Sequence, residues 1–352
     1  MKKLLTLLAG SSLAFYMQGC SDNSTSADDD PLKPGSVYVF GSDMTSGELR
    51  SVAEDGISDK SYQFNQDSKI RGIDGNLFIL ERLGKDNLVL FDVSEGKTKW
   101  QIDLEDAANP SDVVKANKDE VWVALEGTAK FVKVSLKDGK VTKTVKTDKF
   151  IQGKAVSPYL VDFEVSGDTL FALFQRYDET YSYPAGLLAM YKLSDGDLLD
   201  TIQLVNKNPM GMGFANGKLY VGSQGNYVDS HGVEVVDLAK KKSSELIAAS
   251  KFDAGLFSFV VDPEGVAYAA VLKKYGEDVP LVKIDLSEKT VKTVSGVKVA
   301  AGSLEFDDVD GVLYIGDRDS KDGGLYKYDG DKLSKVDAPK DMLPVYGIAI
   351  VR

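Results

Sequence analysis

Thiol and imidazole are almost missing from this sequence, whose 352 residues include one cysteine and one histidine. A single cysteine excludes an internal disulfide and any cysteine-based zinc site. A single histidine excludes a multi-histidine metal centre. Positive charge is in deficit, with 42 Lys+Arg against 54 Asp+Glu and a net charge of -12. No basic stripe is present, so nucleic acid, which needs clustered Lys and Arg, is excluded as a partner. Long apolar runs are lacking too, because Leu4 to Tyr16 falls short of the roughly 20 residues a bilayer span requires. After residue 35 no stretch keeps an amphipathic helical period over several turns. The full sequence is 43% hydrophobic and 27% charged, enough to bury a real core.

The N-terminus reads as an address. Lys2 and Lys3 precede the apolar run, and Met17-Gln18-Gly19-Cys20 follows it, the pattern of a cleaved signal over residues 1–19. The small Gly19 before the cysteine resembles the lipobox of bacterial lipoproteins, although Met17 and Gln18 depart from the usual Leu and small residue. The resemblance implies that Cys20 becomes an acylated N-terminus, and Ser21 after it resembles the outer-membrane sorting choice. Residues 20–34, rich in Ser and Asp, then read as a flexible acidic tether.

The rest of the chain repeats. In the clearest copy Asn109-Pro110-Ser111-Asp112-Val113-Val114 opens, Asp119-Glu120 turns, and Val121-Trp122-Val123-Ala124-Leu125 follows. Lys130–Ser135, the Lys137-Asp138-Gly139-Lys140 turn and Val141–Val145 complete the unit. Turns placed before the closing strand fall at Thr45, Ser94, Lys137, Ser194, Ala239, Ser287 and Gly330, 43 to 57 residues apart. A four-stranded blade takes roughly 40–50. Asp-Gly pairs at 74–75, 138–139, 195–196, 310–311 and 329–330 mark hairpins. The expectation is an all-β chain, a single seven-bladed β-propeller of four-stranded blades over residues 35–352. The first unit begins with a second strand at Ser36–Phe40, and the chain ends with an innermost strand at Pro344–Val351. Pairing these ends would close the ring and remove an exposed edge.

The units resemble the YVTN-type propellers of bacterial surface and periplasmic proteins. Asn109–Val114 with Val121–Ala124, and Asn208-Pro209-Met210-Gly211 with Lys218–Gly222, carry the likeness, without the literal Tyr-Val-Thr-Asn. That resemblance speaks for fold and little for activity.

In a propeller, the loop into each innermost strand and the loop between second and third strands share one face. The rim there is expected to hold Arg71, Asn109, Asp112, Tyr159, Asn208 and Met210, with Phe257, Glu305 and Tyr346. The fourth unit carries an insertion, Gln175–Pro184, containing Arg176, Tyr177, Tyr181 and Tyr183. Tyr and Arg are enriched in binding hot spots because they bury much area at small rotamer cost. Tyr227, Lys274, Tyr275, Arg318 and Arg82 stand in neighbouring loops, and with Tyr159 they complete the expected binding rim. His231 is expected to be solvated in its loop, and no Gly-x-Ser-x-Gly elbow is present. Two tryptophans cannot furnish the Trp-rich docking repeat of quinone-dependent propellers. No catalytic residue, metal or cofactor is assigned. The expected function is a monomeric, lipid-anchored outer-membrane module that binds a small molecule, glycan or envelope protein without catalysis. The alternative is a Ca-dependent hydrolase of lactonase type, with oxygens from Asn109, Asp112, Asn208 and Glu305.

Overall fold

The computed structural model describes residues 37–226, 229–272, 279–296, 302–319 and 323–352. The signal, Cys20 and the tether lie outside the described residues. Blade one contains β1 (Val37–Ser42), β2 (Gly47–Ala53), β3 (Gly56–Ile57) and β4 (Tyr62–Phe64). Blade two is β5 (Ser68–Ile73), β6 (Asn76–Glu81), β7 (Asn87–Asp92) and β8 (Lys97–Asp103). Blade three is β9 (Pro110–Lys115), β10 (Glu120–Leu125), β11 (Lys130–Ser135) and β12 (Val141–Lys146). Blade four is β13 (Leu160–Ser166), β14 (Thr169–Phe174), β15 (Ala185–Lys192) and β16 (Leu198–Lys207). Blade five is β17 (Pro209–Ala215), β18 (Lys218–Ser223), β19 (Gly232–Asp237) and β20 (Lys242–Ala248). Blade six is β21 (Gly255–Val261), β22 (Val266–Leu272), β23 (Leu281–Asp285) and β24 (Thr290–Thr293). Blade seven is β25 (Ser303–Asp307), β26 (Val312–Asp317), β27 (Gly324–Tyr328) and β28 (Leu333–Lys335), after which β29 (Val345–Ile350) returns to blade one.

Every sheet is antiparallel, and β29 pairs with β1 from Val37↔Ile350 to Gly41↔Val345. The ring closes because the innermost strands meet in order: β29 beside β5, then β9, β13, β17, β21 and β25, which returns to β29. A seven-bladed propeller with a composite first blade is therefore observed. At the closing seam, a Cβ on Gly72 of β5 would run into the Ile350 carbonyl, so the approach of β29 requires glycine there. One expectation needs correction. Thr45 lies in the β1–β2 turn, between second and third strands, and the closing position of blade one is split between β3 and β4. Blade one lacks an innermost strand in its local sequence, so its turns are displaced by one strand.

Blades are apolar on both faces, which explains the near-continuous hydrophobic runs. In β10, Val121 and Val123 pack toward blade two with Phe78, Leu80 and Leu90. Trp122 and Ala124, on the opposite face, pack toward blade four with Phe163, Leu170 and Tyr191. The two tryptophans do one job, a blade apart. Trp100 Nε1 donates to the Leu136 carbonyl at 3.0 Å, and Trp122 Nε1 to the Leu193 carbonyl at 2.8 Å. Trp100, on the outermost strand β8, and Trp122, on the second strand β10, each tie one blade to a turn of the next. Among the described residues no helix is long and apolar enough to cross a membrane.

Candidate binding face and channel

The top face is assembled by one repeated contact. In blades two to five the first residue after the second strand donates its backbone N–H to the residue leading into the innermost strand: Arg82 to Asp67, Glu126 to Asn109, Gln175 to Tyr159 and Gln224 to Asn208. The residue before the innermost strand is left-handed at Asn109 (φ 47°), Tyr159 (φ 56°) and Asn208 (φ 50°). Asn tolerates that region through its short side chain, whereas for Tyr it is a strained conformation. The Asn-Pro openers are thus turn formers. Asn208 Nδ2 donates to Gln224 at 2.8 Å, and Asn109 Nδ2 donates to Glu126 at 3.2 Å.

Four of the expected tyrosines come together. Tyr159 and Tyr177 stack with centroids 3.4 Å apart and planes at 20°. Tyr181 continues the stack at 5.6 Å and 27°, while Tyr183 meets Tyr177 edge-on at 5.5 Å. The outermost ring, Tyr181, is 73% exposed. Local turn chemistry holds it. Asp178 Oδ1 accepts from Thr180 N at 2.8 Å, Thr180 Oγ1 at 2.6 Å and Ser182 N at 3.0 Å, and Tyr181 N donates to the Asp178 carbonyl. Tyr181 and Arg176 are left-handed, at φ 58° and 62°. Burial pushes the Tyr177 phenol well above its ordinary value and raises that of Tyr159. Arg176 does not join the stack. Its Nε donates to the Phe150 carbonyl at 3.3 Å and its Nη1 to Gln203 at 3.0 Å.

The channel is a second site, with a volume of about 1060 Å³ and a wall built from the innermost strands. Arg71 on β5 is its hub. Nε donates to Asp112 at 2.7 Å, Nη1 donates to Glu305 at 3.2 Å, and Nη2 stands 4.0 Å from Asp162. The carboxylates also stitch strands together, Asp112 accepting from Phe163 N at 2.9 Å and Asp162 from Met212 N at 2.9 Å. The Asp112 charge holds Arg71 protonated more firmly than an ordinary guanidinium. Burial raises Asp162 and Glu305 and pushes Glu164 up to about 7. Lys69, two residues before Arg71, is open to channel solvent yet walled in by strands. That crowding, together with Arg82, lowers its ammonium to about 8.

At the mouth, Arg82 is engaged in structure, donating to Glu126 at 2.8 Å and Asn109 at 3.0 Å. Arg318 lies over the Tyr346 ring at 3.4 Å. Tyr227, Lys274 and Tyr275 lie outside the described residues. His231 is a correction: it is 2% exposed, where solvation was expected. Burial lowers its basicity, partly offset by the backbone of Ala249 and Asp229. The four oxygen donors of the hydrolase alternative do not gather at one point. Asn109 and Asn208 are held at the rim, and Asp112 and Glu305 share Arg71. Among the described residues no three His, Cys, Asp or Glu are arranged to hold a metal ion. Lys69, Asp162 and Glu164 were missed as site residues. The signal was their spacing, since positions i and i+2 of an innermost strand share the channel side.

Fold and site together define a seven-bladed β-propeller with an aromatic top face and a charged channel. No protein-family model and no curated protein matches the chain. Solved structures do. A functionally unknown protein from Desulfotomaculum acetoxidans is similar at TM-score 0.62 and 12% identity, with 90% of this chain and 99% of that one covered. Apo AztD from Citrobacter koseri is similar at TM-score 0.55 and 11% identity, covering 90% and 97%. Dihydro-heme d1 dehydrogenase NirN in complex with DHE is similar at TM-score 0.56 and 17% identity, covering 92% and 76%. At such identities the likeness is one of fold.

Proposed function

We propose that this chain is a cell-envelope propeller, hung from the outer membrane by an acylated Cys20, that binds a ligand or partner through its top-face tyrosines and performs no catalysis. The observation that carries the reading is the stack of Tyr159, Tyr177 and Tyr181, which ends in a ring with an open face. A left-handed tyrosine backbone at two of these positions costs stability, and such strain concentrates at binding sites. A prearranged aromatic surface loses little entropy on binding and suits ligands with a flat apolar side, such as sugar or aromatic rings. The lipobox-like Met17–Cys20 supports the anchor.

The test has two arms. Tyr177→Ala with Tyr181→Ala is expected to abolish binding of the labelled propeller on a glycan array while its melting transition stays cooperative, whereas Arg176→Ala is expected to retain binding. Array binding that survives the double substitution would retire the tyrosines as the site. Cys20→Ala is expected to release the protein from membranes, and mass spectrometry of the mature N-terminus is expected to find the acyl groups.

A further inference from the structure

Lys69 and Arg71 stand two residues apart on β5, so both side chains face the channel, with Cα atoms about 7 Å apart. Lys69 Nζ donates to the Ser111 carbonyl at 3.1 Å, which fixes the amine against β9 while its side chain stays open to channel solvent. Arg71 is 38% exposed, and its Nη2, 4.0 Å from Asp162, is outside hydrogen-bond range of that carboxylate. An amine and a guanidinium are thus presented side by side in an open channel of about 1060 Å³.

We propose that this pair is a capture site for small carbonyl compounds bearing an anionic group, in which the Lys69 amine forms a reversible imine and Arg71 holds the anion. The amine lone pair attacks the carbonyl carbon, a C–N bond forms, and the C=O π pair moves to oxygen. A proton passes from nitrogen to oxygen through channel water to give the carbinolamine. Its hydroxyl, protonated by channel water, leaves as water as the nitrogen lone pair forms C=N, and the nitrogen returns its remaining proton to that water, so one water is released and no oxidant or reductant is consumed.

The surroundings favour the step. Only the neutral amine attacks, and a lysine beside other cations in a confined site is activated in this way. The groups facing Lys69 are Arg71 on its own strand, Arg82 after β6, Asp112 on β9 and Glu126 after β10. The walls and Arg82 outweigh the two carboxylates and bring the ammonium down to about 8 from 10.5. A lowered ammonium leaves a larger share of Lys69 as free amine near neutral pH than an ordinary lysine has. No tyrosine of the top face takes part, so the site stands apart from the proposed binding function.

The probe is glyoxylate, with cyanoborohydride to trap the imine as a secondary amine and peptide mass spectrometry to locate it on the full chain. Lys69 is expected to be modified at least about tenfold faster than the mean of the other lysines at pH 7.5, with its rate rising through a midpoint near 8. Lys69→Arg, which keeps the charge, is expected to lose this fast adduct with an unchanged melting transition. Acetaldehyde, which lacks the carboxylate, is expected to label Lys69 less well than glyoxylate. Tyr177→Ala with Tyr181→Ala is expected to leave labelling unchanged. Modification of Lys69 no faster than of surface lysines, or rising only above pH 9, overturns the proposal. Equal labelling by the two aldehydes overturns the role of Arg71.

Discussion

The channel centre and the loop of blade four both hold reactive-looking side chains in fixed places, by opposite means. In the channel, the positions come from strands. Arg71, Asp112, Asp162 and Glu305 sit on four different blades and meet only because the ring closes. In the loop, the order is local, since Asp178 and the hydrogen bonds it accepts within five residues set Tyr181 in place. Charges that span blades belong to the architecture, whereas rings on a self-braced loop can be altered without disturbing it.

The sharpest way to break this comparison is Arg71→Met. It removes the guanidinium bonded to Asp112, 2% exposed, and to Glu305, and a loss of roughly 3 kcal/mol is expected in urea unfolding. A loss under about 0.5 kcal/mol would place the hub with ordinary surface pairs. Tyr177→Ala comes next, with about 1–2 kcal/mol from the lost ring contacts of a half-buried residue. Tyr181→Ala should cost under about 0.5 kcal/mol, because its ring is largely exposed.

Two further effects are in pH dependence. Glu164 sits at about 7 in the folded chain against 4.5 ordinarily, so the folded state binds more protons between those values and stability falls as pH rises through them. Glu164→Gln is expected to match the parent near pH 4 and to exceed it above pH 7, by on the order of 1 kcal/mol. His231 works in the other direction. Its folded form resists protonation, so stability falls as pH drops below about 6.5, and His231→Gln is expected to flatten that acid limb. Thermal melts from pH 4 to 8.5 read both.

The propeller was legible because its unit is short-range. Asp-Gly turns at 74–75 and 138–139 close the hairpins β5–β6 and β11–β12, and alternating apolar residues dress both blade faces. The unaccompanied last strand announced the closure. Thr45 misled, since the missing strand of its blade comes from the far end of the chain. The tyrosine stack was legible in part because three of its rings fall within one loop. Arg176, equally prominent in the sequence, was not, since its left-handed backbone and the Phe150 carbonyl turn it aside. His231 looked solvated because nothing near it in sequence covers it; Phe252, beyond β20, packs near its ring.

Local sequence alone determined the number of sheets, their strand pattern and the turn that presents Tyr181, because hairpins and Asx turns are decided by neighbours a few residues apart. Tertiary structure alone decided which charges meet. Lys69 and Arg71 read as routine alternation along a strand until the ring brings β9, β13 and β25 around them. Proton affinity then follows from the walls and charges gathered there, which are contributed by residues as far as 234 positions away.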